Sequence, residues 1–199
     1  MIIRTAEEAD GLMTVMRASA ARARSWIAAQ TGDPLEMLKR MKFEPIGFHP
    51  VEDRPLNLVE QINQTWTFAV AIAAAKLLLT LHPDVGGFQL APGAHAALDL
   101  DIMSIEPGQV GAETFAAVTP RNNNKLDKDL AKLASRPEAQ RYVFFMSPVF
   151  PGNRRCQRSI GWTSCARGRG AITESGATSE GKGASPAGRT RSLSARRRI

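Results

Sequence analysis

The feature that most constrains this chain is the segment 57–81, which has the pattern of one long helix and is apolar nearly all round from Phe68 onward. Asn57 and Glu60 have the spacing of a capping pair, and the proline and glycines of 82–87 are helix stop signals. A helix that is apolar on all sides must be covered by other elements, so the segment predicts a central packed helix. Because Lys76 interrupts the apolar run, it is too short for a membrane span, and we expect no membrane partner.

The chain before this helix predicts smaller helical elements. Thr5 and Glu8 have capping-box spacing and open a helix that runs to about Ala28. Gly32 breaks it, and Pro34 starts a short helix to about residue 42. Three prolines and a glycine make residues 43–55 loop or short extended structure. Residues 1–55 are therefore interpreted as an N-terminal helical region that packs on the core.

After the long helix the period changes to that of strands. Residues 87–92 form a short extended piece, and 98–102 alternate strictly, with leucines and isoleucine on one side and Asp99 and Asp101 on the other. A turn at 106–111 and a second strand at 112–118 complete a predicted β-hairpin. Asn124 can cap a helix from 125 to about 135, whose stripe is Leu126, Leu130 and Leu133. Residues 141–146 form a buried strand. The order αβββαβ over residues 56–151 predicts an α/β domain with a mixed sheet flanked by helices.

The positive charge of the chain lies in its tail. The net charge is +7, but residues 152–199 hold eleven basic and two acidic side chains, so the tail carries +9 and residues 1–151 carry −2. The tail is rich in Gly, Ser and Arg and cannot bury enough apolar area to order itself, so it is predicted to be disordered. A native basic arm for nucleic-acid phosphates and out-of-frame translation both remain open as its origin. The overall charge is thus poor evidence for what the domain binds.

Other composition features exclude several classes of function. At 6% aromatic residues the chain offers no large stacking platform for single-stranded nucleic acid. Cys156 and Cys165 have no His or Cys partner at metal-ligand spacing, so they predict neither a zinc site nor a disulfide framework. The first residues lack the apolar region of a signal peptide, and the cytoplasm is the expected location.

Two acidic residues of the hairpin carry the candidate chemistry. A three- or five-residue turn places Asp101 and Glu113 on the same face, whereas a four-residue turn places them on opposite faces. Two carboxylates on one face attract a cation, and oxygen-only ligands favour Mg²⁺ or Mn²⁺. Such a metal activates water and neutralises a phosphate under attack. Lys125, at the start of the next helix, is the candidate for orienting that water, and the asparagines 122–124 suit phosphate contacts.

Ordinary structural roles compete with these assignments. An Asp on the polar side of a strand is usually only solvated, which is a sufficient reading of Asp99. Glu113 is harder to explain in this way, because Glu is depleted in strands. Glu60 is either a third acid of the site or part of the helix cap with Asn57, and the cap is slightly favoured. Lys125 alone has the pattern of a solvated lysine.

The sequence around these acids resembles the core of the PD-(D/E)XK nuclease superfamily, the restriction-endonuclease-like fold. The resemblance lies in Leu-Asp-Leu-Asp-Ile-Met-Ser at 98–104, Ala-Glu-Thr-Phe-Ala at 112–116 and the element order, and it covers roughly 50–150. More narrowly, 57–67, 112–116 and Asn-Lys-Leu at 124–126 are similar to an uncharacterised bacterial branch of restriction-endonuclease-like proteins.

The resemblance implies a Mg²⁺-dependent endonuclease acting on DNA, with Asp101 and Glu113 as metal ligands. The superfamily pattern has a lysine two residues after the second acid, where this chain has Phe115. In some members the lysine is on the following helix, which makes Lys125 the third catalytic candidate.

The alternatives are a degenerate nuclease-like module that binds nucleic acid or a protein without cleavage, and a structural protein with no nucleic-acid role. Phe115 motivates the first alternative and the −2 charge of residues 1–151 motivates the second. The sequence leaves a homodimer open.

Overall fold

The structure, a computed structural model, describes residues 1–93, 98–149, 162–165 and 170–175. In these residues it is an α/β protein with four α-helices and a mixed sheet, which confirms the predicted class. The helices are α1 (Ala6–Ala28), α2 (Pro34–Phe43), α3 (Leu58–Leu81) and α4 (Lys125–Ala134). The strands are β1 (Ile2–Ile3), β2 (Gly47–Phe48), β3 (Pro55–Leu56), β4 (Phe88–Leu90), β5 (Ile102–Ser104), β6 (Val110–Ala116), β7 (Gln140–Met146), β8 (Trp162–Cys165) and β9 (Gly170–Ser175).

The first three helices begin where local sequence predicts. The Thr5 side chain accepts the N–H of Glu8 at the start of α1, and Asn57 accepts the N–H of Glu60 at 2.8 Å at the start of α3. Asp33 accepts two N–H groups of the first turn of α2, which has proline at its start. These caps satisfy amides that have no partner within the helix, so they fix the N-terminal ends.

The large sheet has the order β1-β4-β5-β6-β7-β9-β8. Strands β4, β5 and β6 form an antiparallel meander, and β7 lies parallel to β6. Parallel neighbours need a crossover connection, and α4 provides it. The predicted order of helix, three strands, helix and strand is therefore present as α3, β4, β5, β6, α4 and β7.

The N-terminal region packs on α3 and also adds strands. β1 pairs with the edge of β4, and β2 and β3 pair with each other in a separate two-stranded sheet. Buried Gln61 of α3 joins these parts, because its amide nitrogen donates to the Ser19 carbonyl of α1 at 3.1 Å and its oxygen accepts the N–H of Phe48 at 3.1 Å.

Two apolar clusters lie on opposite faces of the sheet. The larger cluster joins α1 and α3 to residues such as Phe88, Ile102 and Phe144. The smaller one lies under α4 and contains Leu100, Phe115, Leu133, Val143 and Phe145, with Leu126 and Leu130 packed against it. The predicted leucine stripe of α4 is thus its buried face. Residues of β6 alternate between the two faces, so Ala112 belongs to the α3 face and Phe115 to the α4 face.

The first strand of the hairpin differs from its prediction. Residues 98–101 form bends, and β5 begins only at Ile102. The expectation that Leu98, Leu100 and Ile102 share one face is wrong, because Leu100 packs in the α4-side cluster and Ile102 in the α3-side cluster. The bend turns the chain before the ladder starts.

The tail is described at ten residues only. β9 pairs antiparallel with β7, and β8 pairs with β9, so these residues differ from the expected disorder. Ile172 and Thr173 are β-branched residues that suit a strand, and β7 would otherwise be a sheet edge. The remainder of 152–199, with Cys156, lies outside the described residues.

Within the described ranges, α3 is long and apolar enough to cross a membrane by length and composition alone. Core helices of globular proteins pass the same test. Ten of its side chains are buried inside the protein, against the sheet and α1.

Candidate functional site

The register of the hairpin sets Asp101 and Glu113 opposite each other. Ile102 pairs with Ala112 and Met103 with Gly111, and the connection between the strands is the five-residue loop 105–109. Carrying this register one residue beyond β5 places Asp101 across from Glu113. The turn therefore has five residues, which is one of the two lengths that place both acids on the same face.

Asp101 replaces part of the strand ladder with its side chain. Its Oδ2 accepts the backbone N–H of Thr114 at 2.8 Å and the Thr114 hydroxyl at 2.9 Å, while its carbonyl accepts the N–H of Ala91 at 2.9 Å. These bonds hold Asp101 between β6 and the end of β4. Its other oxygen, Oδ1, accepts no hydrogen bond from the described residues, so it remains an acceptor for a ligand.

Glu113 is a buried acid in the middle of β6. Its side chain is 3% exposed, and its Oε1 accepts a hydrogen bond from Lys132 Nζ at 2.6 Å. Burial raises the pKa of Glu113, the Lys132 hydrogen bond opposes that shift, and repulsion from Asp101 adds to it. A second ammonium group, Lys125 Nζ, lies 4.0 Å from Glu113 Oε2.

Asp129 of α4 is a further buried acid next to this pair. Lys125 Nζ donates to Asp129 Oδ1 at 2.5 Å, and the Asp129 side chain is 4% exposed. Its Oδ2 is buried without a hydrogen-bond partner in the described part of the chain. Burial raises the pKa of Asp129, while Lys125 acts in the opposite direction. Lys125 is thus shared between two acids.

Asp101 and Glu113, together with the two lysines that contact Glu113, line one cleft of about 500 Å³ between the sheet and α4. It brings together all three residues singled out in the sequence, Asp101, Glu113 and Lys125, and adds Thr114 and Lys132. The sequence reasoning missed Lys132 and Asp129. A signal for them existed, because Lys125, Asp129 and Lys132 recur at the i, i+4 and i+7 spacing of one helix face.

Phe115 contributes packing to the wall of the cleft. Its ring stacks on Phe145 with centroids 5.4 Å apart, and Lys125 Nζ lies 5.8 Å from its centroid. Phe115 therefore packs in the α4-side cluster. The ammonium groups near Glu113 belong to Lys125 and Lys132 of α4.

The asparagines 122–124 form the turn before α4, and the shape of that turn favours asparagine. Asn123 and Asn124 both have left-handed backbones, with φ of 53° and 55°, a conformation that asparagine tolerates better than most residues. Asn124 occupies the N-cap position, but its side chain makes no capping hydrogen bond. The run shapes the turn that delivers Lys125 to the cleft.

Two other acids considered from the sequence lie apart from the cleft lining. Asp99 is 71% exposed and pairs with Arg136 at 2.8 Å. Glu60 is exposed, and its backbone N–H completes the α3 cap with Asn57. Glu60 lies at the cap weighed for it, whereas Asp99 is exposed but also ion-paired, so it is more than a solvated side chain.

The donor set for a cation is small. Among the described residues, no group of three or more His, Cys, Asp or Glu side chains is arranged to hold a metal ion, so a metal here would rest on Asp101 and Glu113 and on oxygens from water or substrate. Comparison of the chain with models of protein families, with curated proteins and with solved structures found no match.

Proposed function

We propose that this protein hydrolyses phosphodiester bonds of DNA in a Mg²⁺- or Mn²⁺-dependent reaction, as an endonuclease of the restriction-endonuclease-like type. The observation that carries the proposal is the convergence of Asp101, Glu113 and Lys125 on one cleft. The αβββαβ order supports it, as does the antiparallel meander followed by a parallel strand.

The oxygen donors of the cleft fit a hard divalent cation. Mg²⁺ is commonly bound through one or two carboxylates, with water and substrate phosphate completing its octahedral shell. Asp101 Oδ1 and the Glu113 carboxylate are the groups that would hold it. The ion, when bound, lowers the pKa of a bound water and offsets the charge of the phosphate.

The lysines of α4 have complementary roles in this proposal. Lys132 neutralises the buried Glu113 carboxylate at 2.6 Å. Lys125, half-exposed at the cleft, faces Glu113 and is held by Asp129. An ammonium in that place orients the attacking water by hydrogen bonding and stabilises negative charge on the phosphate oxygens. Asp129 positions Lys125.

The test is cleavage of plasmid DNA and of a single-stranded DNA with Mg²⁺ or Mn²⁺ by the wild type, Asp101→Asn and the exposed control Asp99→Asn. Asp101→Asn keeps an acceptor for Thr114 but removes the charge, so we expect a loss of at least about a hundredfold in rate. Asp99→Asn should cleave as the wild type does. No cleavage by the wild type, or equal rates for the two variants, would contradict the proposal.

The second candidate function is a module that binds nucleic acid or a protein without cleaving. Its support is Phe115, whose packing on Phe145 does none of the work of a lysine, and the existing Lys132–Glu113 ion pair, which satisfies the acid without a metal. This candidate predicts no Mg²⁺-dependent thermal shift, and DNA binding in EDTA that is unchanged in Glu113→Gln. A thermal shift with Mg²⁺ that Glu113→Gln abolishes would favour the enzyme instead.

A further inference from the structure

A second concavity adjoins the charged cleft. It has a volume of about 730 Å³, and Thr67 and Ala116 line both spaces. Its wall on α3 is formed by Asn63, Trp66 and Thr67, which share one helix face, and the opposite wall includes the end of β6 and Pro148 after β7. We call this space the Trp66 groove. A ligand that fills both spaces would pass over these two shared residues.

The lining of the Trp66 groove differs in chemistry from that of the cleft. Among the described residues, no charged side chain lines it. It offers the Trp66 side chain, 48% exposed, together with the amide of Asn63 and apolar side chains from the strand ends. A flat uncharged group with hydrogen-bonding edges suits this surface, because one face can stack on the indole while an edge pairs with the amide.

We propose that the Trp66 groove binds the base of an unpaired nucleotide whose phosphate lies in the charged cleft. The inference rests on the proposed function, since it assigns the substrate class of the same site: DNA that is single-stranded at the point of attack. The two spaces together match the two halves of a nucleotide, an anionic phosphate and a neutral aromatic base. A base inside a duplex is stacked and paired, so it cannot lie against Trp66 unless it leaves the helix. One tryptophan provides a slot for one base, which agrees with the low aromatic content of the chain.

A protein occupant is the competing possibility. Trp66 also borders a smaller apolar groove between α1 and α3, which includes Ile62, and Ile62 is 52% exposed. Ile62 does not line the Trp66 groove. It therefore serves as a matched control, because Ile62→Ala removes an exposed apolar side chain four residues away on the same helix.

The experiment measures DNA binding by fluorescence anisotropy with the full chain, with Ca²⁺ in place of Mg²⁺. The probes are a labelled single-stranded oligodeoxynucleotide, the duplex of the same sequence and an oligomer of equal length whose sugars carry no bases. We expect the wild type to bind the single strand more tightly than the other two. Trp66→Ala should weaken single-strand binding about tenfold and leave the abasic oligomer unchanged. Trp66→Phe should retain most of the affinity, because a phenyl ring still stacks, and Ile62→Ala should bind as the wild type does.

Three results would overturn the inference. They are equal wild-type affinity for the base-containing and abasic strands, single-strand binding that survives in Trp66→Ala, and a change of oligomeric state in Trp66→Ala by size-exclusion chromatography without an effect on DNA binding. If Trp66→Ala fails to fold, the wild-type comparison of the base-containing and abasic strands still decides the test. Cleavage is scored separately with Mg²⁺ and Asp101→Asn, so base-dependent binding without cleavage would reject the nuclease and leave the base groove standing.

Discussion

The two faces of the sheet bury different kinds of side chain. The α3 face holds a large cluster that includes Ile72, Phe88 and Tyr142, all nearly inaccessible to solvent. The α4 face has a cluster of five buried apolar residues, and beside it lie buried Glu113 and Asp129 with the two lysines that contact them. The α3 face of the sheet supplies mainly apolar packing, and the α4 face combines packing with buried charge.

This difference shows how the fold tolerates the free-energy cost of burying the charged groups of the cleft. Burying a carboxylate disfavours its charged form, which is why the pKa values of Glu113 and Asp129 are raised. The apolar burial around α3 offsets such a cost, because each fully buried aliphatic side chain contributes about 1.5–3 kcal/mol. Lys125 and Lys132 reduce the cost locally, and the charged groups stay available to a ligand in the cleft.

Truncation in the larger cluster should have the largest effect on stability. Ile72 is fully buried in the middle of α3, so Ile72→Ala should lower the free energy of unfolding by about 3 kcal/mol. The matched change on the other face, Leu130→Ala, removes a partly buried side chain and should cost about half as much. Urea denaturation followed by circular dichroism measures both. Equal losses would mean that the two faces contribute alike.

Removal of the Lys132 ammonium should have an intermediate, pH-dependent effect. In Lys132→Met the buried Glu113 carboxylate loses its 2.6 Å partner. Because Lys132 is half-exposed and Lys125 remains nearby, we expect a loss of about 1–2 kcal/mol at pH 8. The loss should vanish in acid, where Glu113 is protonated. Lys128→Met, on the exposed side of α4, is the control, and a pH-independent loss in Lys132→Met would contradict the ion-pair account.

Neutralising Asp129 should give the smallest effect, of opposite sign. Burial raises the pKa of Asp129 in the folded state, so the wild type loses stability as pH rises through the range between the unfolded and folded pKa values. Asp129→Asn removes that titration and should be more stable than the wild type at pH 8 by about 1 kcal/mol or less, with no gain below about pH 4.

Thermal unfolding across this pH range provides the measurement. The exposed Asp99→Asn should show no such dependence. A gain for Asp129→Asn that is constant with pH, or a loss at pH 8, would mean that the Lys125 pair outweighs the cost of burying Asp129.

Local sequence was sufficient for the helices and for the order of the elements. Thr5, Asp33 and Asn57 each make the capping bonds expected of their residue type, because a cap involves only neighbours in the chain. The sequence predicted a β-hairpin here, but not where its first strand begins. At Asp101 the side chain, in place of a backbone carbonyl, accepts the N–H of Thr114. A carboxylate that replaces a ladder acceptor leaves no mark on hydrophobic periodicity.

Some features of the candidate site could likewise be predicted from local sequence, and others depend on tertiary packing. The sequence by itself determined the helices, the α/β class and the choice of Asp101, Glu113 and Lys125, because caps, periodicity and residue chemistry are local properties. Only the tertiary structure decided that the loop 105–109 sets the two acids opposite each other, that Lys132 contacts Glu113 from 19 residues away, and that Asp129 is buried beside Lys125. These depend on how α4 crosses over β6, and burial and ion pairing between distant residues are set by packing that no short stretch of sequence encodes.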